Sequence, residues 1–423
     1  TRAARQTRHY QSRSRNTRHY GLGDKSGPLD RSGRRFRCLQ IDALGYDAEH
    51  SDPLYKHVPF FIAEDQADGG AVGFLYDTLS EITFDLGAEH SNYHPLYRYV
   101  EAEEQGLVIY ILAGPRVRDV VTQLFALTGR PYFPPRWSLG FAFTTMHHAD
   151  DPNAQAVIEA FAQRCRAARI PISAIHSGSG YTTGEDGKRY VFTWNEAKFP
   201  DRTAFFQSLQ NLGFHTAANV KPTLLTTHPA YAESARAGRF VTREDGAPAV
   251  EQFWGGLGSS LDFTNPETIR WWQAQATEHV LEAGFDAIWN DNNEAEIADE
   301  GAWLHGFGTA LPALELRPLQ ALLMTRASVE AARIHTPALR PYSITRAGPL
   351  GIQRYAETWT GDNRTSWHTL KWNLRNGLSM SLSALPLVGH DIGGFDGPSP
   401  DAELLVRWVQ MMALHPRCVM NSW

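Results

Sequence analysis

The stretch Ala287-Ile-Trp-Asn-Asp-Asn-Asn-Glu294 decides how the chain folds. A short apolar run of strand length passes directly into two carboxylates, three amide side chains and a tryptophan. Helical stretches flank it at residues 266–283 and 318–335. The same rhythm recurs after Trp137, with strands expected at 139–144, 172–177, 216–220, 287–291, 342–345, 357–360 and 385–388, and one near Cys418. Further helices are expected at 153–168 and 402–414. About eight strand–helix units are the pattern of a (β/α)8 TIM-type barrel, in which polar residues just past each strand face the catalytic end. A doubly wound open sheet is the competing topology, but no Gly-rich phosphate loop accompanies the strands, which favours the barrel.

Upstream, the text from about Tyr20 to Pro115 is β-like. Short runs at 71–76, 81–85 and 107–112 are broken by Gly, Asp, Asn and Pro, as in a sandwich. Residues 115–128 then carry apolar positions at helical spacing, and Pro131, Pro134 and Pro135 mark a boundary. The expected organisation is an Arg-rich terminal segment (1–19), a partial N-terminal β-sandwich with its linker helix (20–130), and a catalytic barrel (131–423) lacking its final helix. The chain reads as truncated at both ends.

Composition narrows the class. A hydrophobic fraction of 42% supports a sizeable core, and the net charge is −6. Ten arginines fall in the first 37 residues, and Thr-Arg-His-Tyr occurs twice, at Thr7–Tyr10 and Thr17–Tyr20. The remainder is acidic and carries no nucleic-acid-binding signature, so this start reads as a solvated segment or a strand cut from its neighbours, and nucleic acid is not an expected partner. No apolar run approaches the roughly 18 residues of a membrane helix. Cys38, Cys165 and Cys418 are odd in number and widely spaced, without metal or disulfide spacing, which leans toward a reducing, cytoplasmic setting.

Three segments carry chemistry. In the first, burying Asp291 at a strand end costs several kcal/mol unless hydrogen bonds hold its charged form, and Asn292 and Asn293 are candidate donors. The second runs from Arg346 to Trp359-Thr-Gly-Asp-Asn363, again ending a strand in an aromatic and a carboxylate. The third, Gly389-His-Asp-Ile-Gly-Gly-Phe395, sets a carboxylate on a glycine turn. Singly, each is also what an ordinary turn looks like.

Together, and in this order, they resemble glycoside hydrolase family 31, the α-glucosidase and α-xylosidase family. Tyr20-Gly-Leu-Gly-Asp-Lys25 is similar to the YGLGEK segment of that family's sandwich. Thr128-Gly-Arg-Pro with Pro134-Pro-Arg-Trp-Ser-Leu-Gly140 resembles its barrel entry. Asp262-Phe-Thr-Asn-Pro266 and Trp271-Trp272 resemble the segment before its nucleophile strand. The resemblance covers residues 20 to 423. It implies a retaining hydrolase of α-linked sugars, with Asp291 as nucleophile (family pattern WxDMNE) and Asp362 as general acid/base (WxGDN). It further implies Trp289 and Trp359 in the pocket wall, Arg346 on the sugar and around the nucleophile, and Asp391 and Phe395 lining the pocket. Asp42 is implied as a contribution from the sandwich. No metal or organic cofactor is required. The expected partner is an α-linked oligosaccharide or α-glycoside; a membrane is not expected, and association into a homo-oligomer is left open.

Four positions depart from the family pattern, and those at the second strand and near the chain end concern the substrate. Asn292 stands where methionine is usual. The second strand ends in His176-Ser-Gly178 where many relatives have an aspartate, so His176 is a candidate ligand-binding residue. Asn421 or Ser422 replaces a sugar-contacting histidine near the chain end, and Lys221 stands where relatives have an uncharged or acidic residue. An α-glucoside is the leading substrate. Galacto-configured or N-acetylated α-sugars, transglycosylation, and a non-catalytic carbohydrate-binding role are the alternatives.

Overall fold

The computed structural model describes residues 6–67 and 69–422. Two four-stranded antiparallel sheets form the N-terminal sandwich. One comprises Thr7–Ser12, Tyr97–Ala102, Ile82–Asp85 and Arg35–Cys38; the other comprises Thr17–Gly21, Phe60–Asp65, Ala71–Tyr76 and Ile109–Gly114. The two Thr-Arg-His-Tyr copies are therefore strands, one in each sheet. Thr7 pairs opposite Ala102, and Thr17 opposite Asp65. Of the two readings of this start, a solvated segment or a strand, the strand is the one found. Alternating side chains of Thr7–Ser12 are half-buried and exposed, so Arg8 occupies an outer position of a paired strand.

Period-two alternation gives the second sheet two apolar faces. Phe61 and Ala63 point into the sandwich with Phe36, Phe74, Ile82 and Val100. Phe60 and Ile62 point the other way, onto the helix Val117–Thr128 and onto Ile352, Met380 and Leu385 of the barrel. Gly73 permits this packing, because a Cβ there would come 2.5 Å from Val120. Burial of Val120 and Leu124 contributes about 1.5–3 kcal/mol each to the docking.

The barrel strands follow the expected series: Phe141–Thr144, Ile172–Ser177, His215–Val220, Ala287–Asn290, Tyr342–Thr345, Glu357–Trp359, a seventh in two pieces (Val388–Gly389 and Asp391–Ile392), and Cys418–Met420. All pairings within this sheet are parallel, and the eighth strand returns to the first through Phe141 opposite Cys418. Only His390 separates the two pieces of the seventh strand, so the ring closes.

Two boundaries differ from the sequence reading. The long helix begins at Ala313 rather than Pro318, because its extra turn is anchored tertiarily: Ala313 is wholly buried against Val241, Ala302 and Leu304. The stretch after strand three also builds a small sheet of Thr223–Leu225, Gly256–Ser260 and Glu251–Phe253, with Trp254 at its turn.

Candidate active site

Strand register builds the rim. Val220, Asn290 and Thr345 are aligned on strands three, four and five. Lys221, Asp291 and Arg346 are each the next residue, and the Asp291 and Arg346 amides continue the ladder to the Val220 and Asn290 carbonyls at 3.0 Å each. Alternation along strand four sends Asn290 outward, to Ser328, Ser343 and the Ile344 carbonyl. Trp289 belongs to the inner apolar cluster with Trp359, their rings edge-to-face at 5.8 Å.

Asp291 is 8% exposed. Its Oδ2 accepts from Lys221 Nζ at 2.6 Å and Asn219 Nδ2 at 3.0 Å, and its Oδ1 lies 3.5 Å from Arg346 Nε. Burial pushes this carboxyl up, but Lys221, Arg346 and Asn219 together outweigh it and hold it well below the usual carboxylate range. Its surroundings therefore favour the ionised form of Asp291.

Asp362 has the opposite setting. Arg346 Nη1 donates to it at 3.0 Å, and the Tyr55 hydroxyl accepts from its backbone amide at 3.2 Å. Burial is the largest influence and pushes the carboxyl well up. Arg346 opposes this, while the negative charges of Asp291, Asp42 and Asp391 reinforce it. Asp362 keeps its proton where Asp291 has lost one.

Arg346 joins both carboxylates. It is 3% exposed and also makes a bidentate pair with Glu294 at 2.7 and 2.9 Å and a bond to Asp42 at 2.9 Å. Asp42 arrives on the sandwich loop, which is stitched to the barrel: Gly45 N donates to the Asp362 carbonyl at 2.8 Å, and Lys56 Nζ donates to the Trp359 carbonyl at 2.6 Å. Asn292, at φ 48°, donates to Asp42 at 3.2 Å and accepts from Lys221. Asparagine adopts this left-handed conformation more readily than methionine does.

A cavity of about 270 Å³ opens among these groups. Of the residues named from sequence, Asp42, Lys221, Trp289, Asp291, Arg346, Trp359, Asp362, Phe395 and Asn421 line it. His176 and Asp391 are not among the residues that line it. His176 is 1% exposed, its ring 6.2 Å from Trp289 and 6.3 Å from Tyr342, and burial together with Arg417 lowers it to about 3. Asp391 is wholly buried, and burial raises its carboxyl to about 7 against Arg417 and a 2.8 Å bond from Asn421. Both side chains lie within the barrel rather than on the cavity wall. Asn421 lines the cavity with its amide already engaged, since Oδ1 accepts from Thr144 at 2.7 Å.

Sequence reasoning missed Asn219, Glu294, Trp254 and Arg417 as parts of this assembly. Glu294 had a local signal, a second carboxylate three residues past Asp291. Arg417 had none: it reaches 3.4 Å from Glu357 and 3.7 Å from Asp391 from the start of the last strand. Trp254 lies 5.2 Å from both Lys221 Nζ and the Arg189 guanidinium carbon, at the cavity mouth.

Comparison with known proteins agrees with this arrangement. The sequence profile of the glycosyl hydrolases family 31 TIM-barrel domain matches residues 131–423, and that of the glycosyl hydrolase 31 N-terminal galactose mutarotase-like domain matches residues 1–85. Alpha-glucosidase 2 of Bacillus thermoamyloliquefaciens is 29% identical over 405 residues, which cover 94% of this chain and 49% of that protein. Lysosomal alpha-glucosidase of Bos taurus is 32% identical over 343 residues, covering 73% and 36% respectively. The solved structure of a Flavobacterium johnsoniae GH31 dextranase complexed with glucose matches with a TM-score of 0.87 at 25% identity, over 100% of this chain and 52% of that one. The chain thus spans about half the length, or less, of these relatives, and its barrel and sandwich place it in one family: it belongs to glycosyl hydrolase family 31.

Proposed function

We propose that the protein is a retaining α-glycoside hydrolase that cleaves terminal α-linked sugars, with α-glucosides leading. The observation that carries this reading is the pair of aspartates on one guanidinium, Asp291 held ionised and Asp362 held protonated. Two carboxyl groups with their proton affinities pushed apart are what a double displacement requires. Asp291 attacks the anomeric carbon, the bond to the leaving oxygen breaks, and Asp362 gives that oxygen its proton. Asp362 then takes a proton from water as the water attacks, the ester to Asp291 breaks, and the sugar leaves with its α configuration kept. Arg346 keeps its charge throughout among four carboxylates. No step calls on a cofactor.

The alpha-glucosidases among the relatives support glucose as the leading sugar. A second reading, a galacto-configured or N-acetylated α-sugar, rests on the second strand. Ser179 lines the cavity beyond that strand, and among the described residues no carboxylate from this segment does. The loss of one polar partner for a hydroxyl changes discrimination between sugars by orders of magnitude. The test is the intact protein against aryl α-glucoside, α-xyloside, α-galactoside and α-N-acetylgalactosaminide, beside Asp291→Asn. Release from one sugar, abolished in the variant, establishes the reaction and the substrate together. A folded protein that binds sugars and releases none is instead a carbohydrate-binding relative.

A further inference from the structure

Lys221 has the geometry of a group committed to Asp291 rather than to a ligand. Its ammonium carries three N–H donors. One goes to Asp291 Oδ2 at 2.6 Å, another bonds Asn292 Oδ1, and Nζ stands 5.2 Å from the centre of the Trp254 ring. Its side chain is 13% exposed. Asp291 is correspondingly asymmetric: Oδ2 accepts from two strong donors, Lys221 and Asn219, whereas among the described residues Oδ1 has only the 3.5 Å approach of Arg346 Nε, a nitrogen already bonded to Glu294 at 2.7 Å.

We infer that Lys221 is a positioning residue for the second half-reaction: it holds Oδ2 as the acyl oxygen, leaves Oδ1 to bond the sugar, and makes Asp291 a good leaving group. The inference rests on the proposed double displacement and deepens it. In the first step the Oδ1–C1 bond forms, the bond from C1 to the leaving oxygen breaks, and the Asp362 proton goes to that oxygen. Asp291 thereby loses its charge, while the Lys221 ammonium stays beside a neutral ester. In the second step water attacks C1, its proton passes to Asp362, and the C1–Oδ1 electron pair returns to the carboxylate. The negative charge then reappears on Oδ2 directly against Lys221. A cation preorganised where charge develops, in a site largely shielded from water, favours breaking the ester over forming it.

The test compares wild type with Lys221→Met, Lys221→Gln and Lys221→Arg, each checked by thermal melting. Stopped-flow release from the aryl α-glycoside that wild type turns over is combined with intact mass of the protein during turnover. Removing the ammonium is expected to give a burst of one aryl group per site, a glycosyl adduct in the mass spectrum, and a steady-state rate at least tenfold lower. Arginine is expected to restore turnover without the adduct. A rate loss with neither burst nor adduct, in variants that melt like wild type, overturns the assignment, because a packing role slows both steps. Carbon-13 NMR titration of the Asp291 carboxyl needs no substrate. Lys221→Met is expected to raise its proton affinity at least tenfold, and an unchanged titration overturns the assignment. Failure of the proposed reaction itself is read separately, from wild type and Asp291→Asn on the sugar panel.

Discussion

The two sides of the pocket use the same residue type to opposite ends. On the side of strands three and four, Asp291 meets an ammonium, an amide and the edge of a guanidinium. On the side of strand six and the sandwich loop, Asp362 meets the same guanidinium but shares it with Asp42 and Glu294. Burial penalises both charges. What separates them is how many cations each has to itself, and this teaches that the split in protonation belongs to the assembly rather than to either aspartate.

The largest expected effect breaks the pair outright. Asp291→Asn should lower turnover on the order of 10⁵-fold, as removal of a nucleophile does. Asp362→Asn should cost about 10²–10⁴-fold. The loss at Asp362 should shrink for aryl glycosides whose leaving group needs no proton, and that at Asp291 should not; steady-state kinetics on two leaving groups checks the contrast.

Arg346→Met removes the shared cation. It leaves Glu294 and Asp362 buried, and Asp42 half-buried, without their partner, and should destabilise the fold by about 3–5 kcal/mol, measured by denaturant unfolding.

A smaller effect sharpens the contrast through pH. In the proposed reaction Asp362 acts with its proton on, and its proton affinity is raised, so activity should fall as pH rises through that raised value. Asp42 is one of the charges that raise it. Asp42→Asn should therefore move the alkaline limb of the pH–rate profile to lower pH; a shift upward, or none, would show that Asp42 acts only as a tether.

The smallest effect is at Asn292. Methionine there must adopt φ 48° and loses the bond to Asp42, so Asn292→Met should cost about 1–2 kcal/mol of stability, seen as a lower melting temperature.

Much of the frame was legible beforehand because its signals are local. Strands Ile172–Ser177 and Tyr342–Thr345 fall where an apolar run meets polar residues, and helix Ala402–Met412 follows from its apolar stripe. The Arg-rich start could not be settled between a solvated segment and a strand, because its partners, Tyr97–Ala102 and Phe60–Asp65, lie tens of residues away and supply the backbone bonds that make it two strands. The setting of His176 and Asp391 was illegible for a related reason. A strand end shows that a polar residue is near the rim, but not whether its side chain reaches the cavity or stays within the barrel.

The sequence by itself determined which carboxylates stand at strand ends, in what order, and that a parallel barrel carries them, since two- and 3.6-residue periodicities are properties of short stretches. The tertiary structure alone decided that Lys221 lies against Asp291, that Asp42 crosses from the sandwich to Arg346, and that the two aspartates meet different charges. Strand register and electrostatic neighbours are sums over groups some 70 to 300 residues apart, |i−j| being 70 for Lys221 and Asp291 and 304 for Asp42 and Arg346, and no local pattern encodes such a sum.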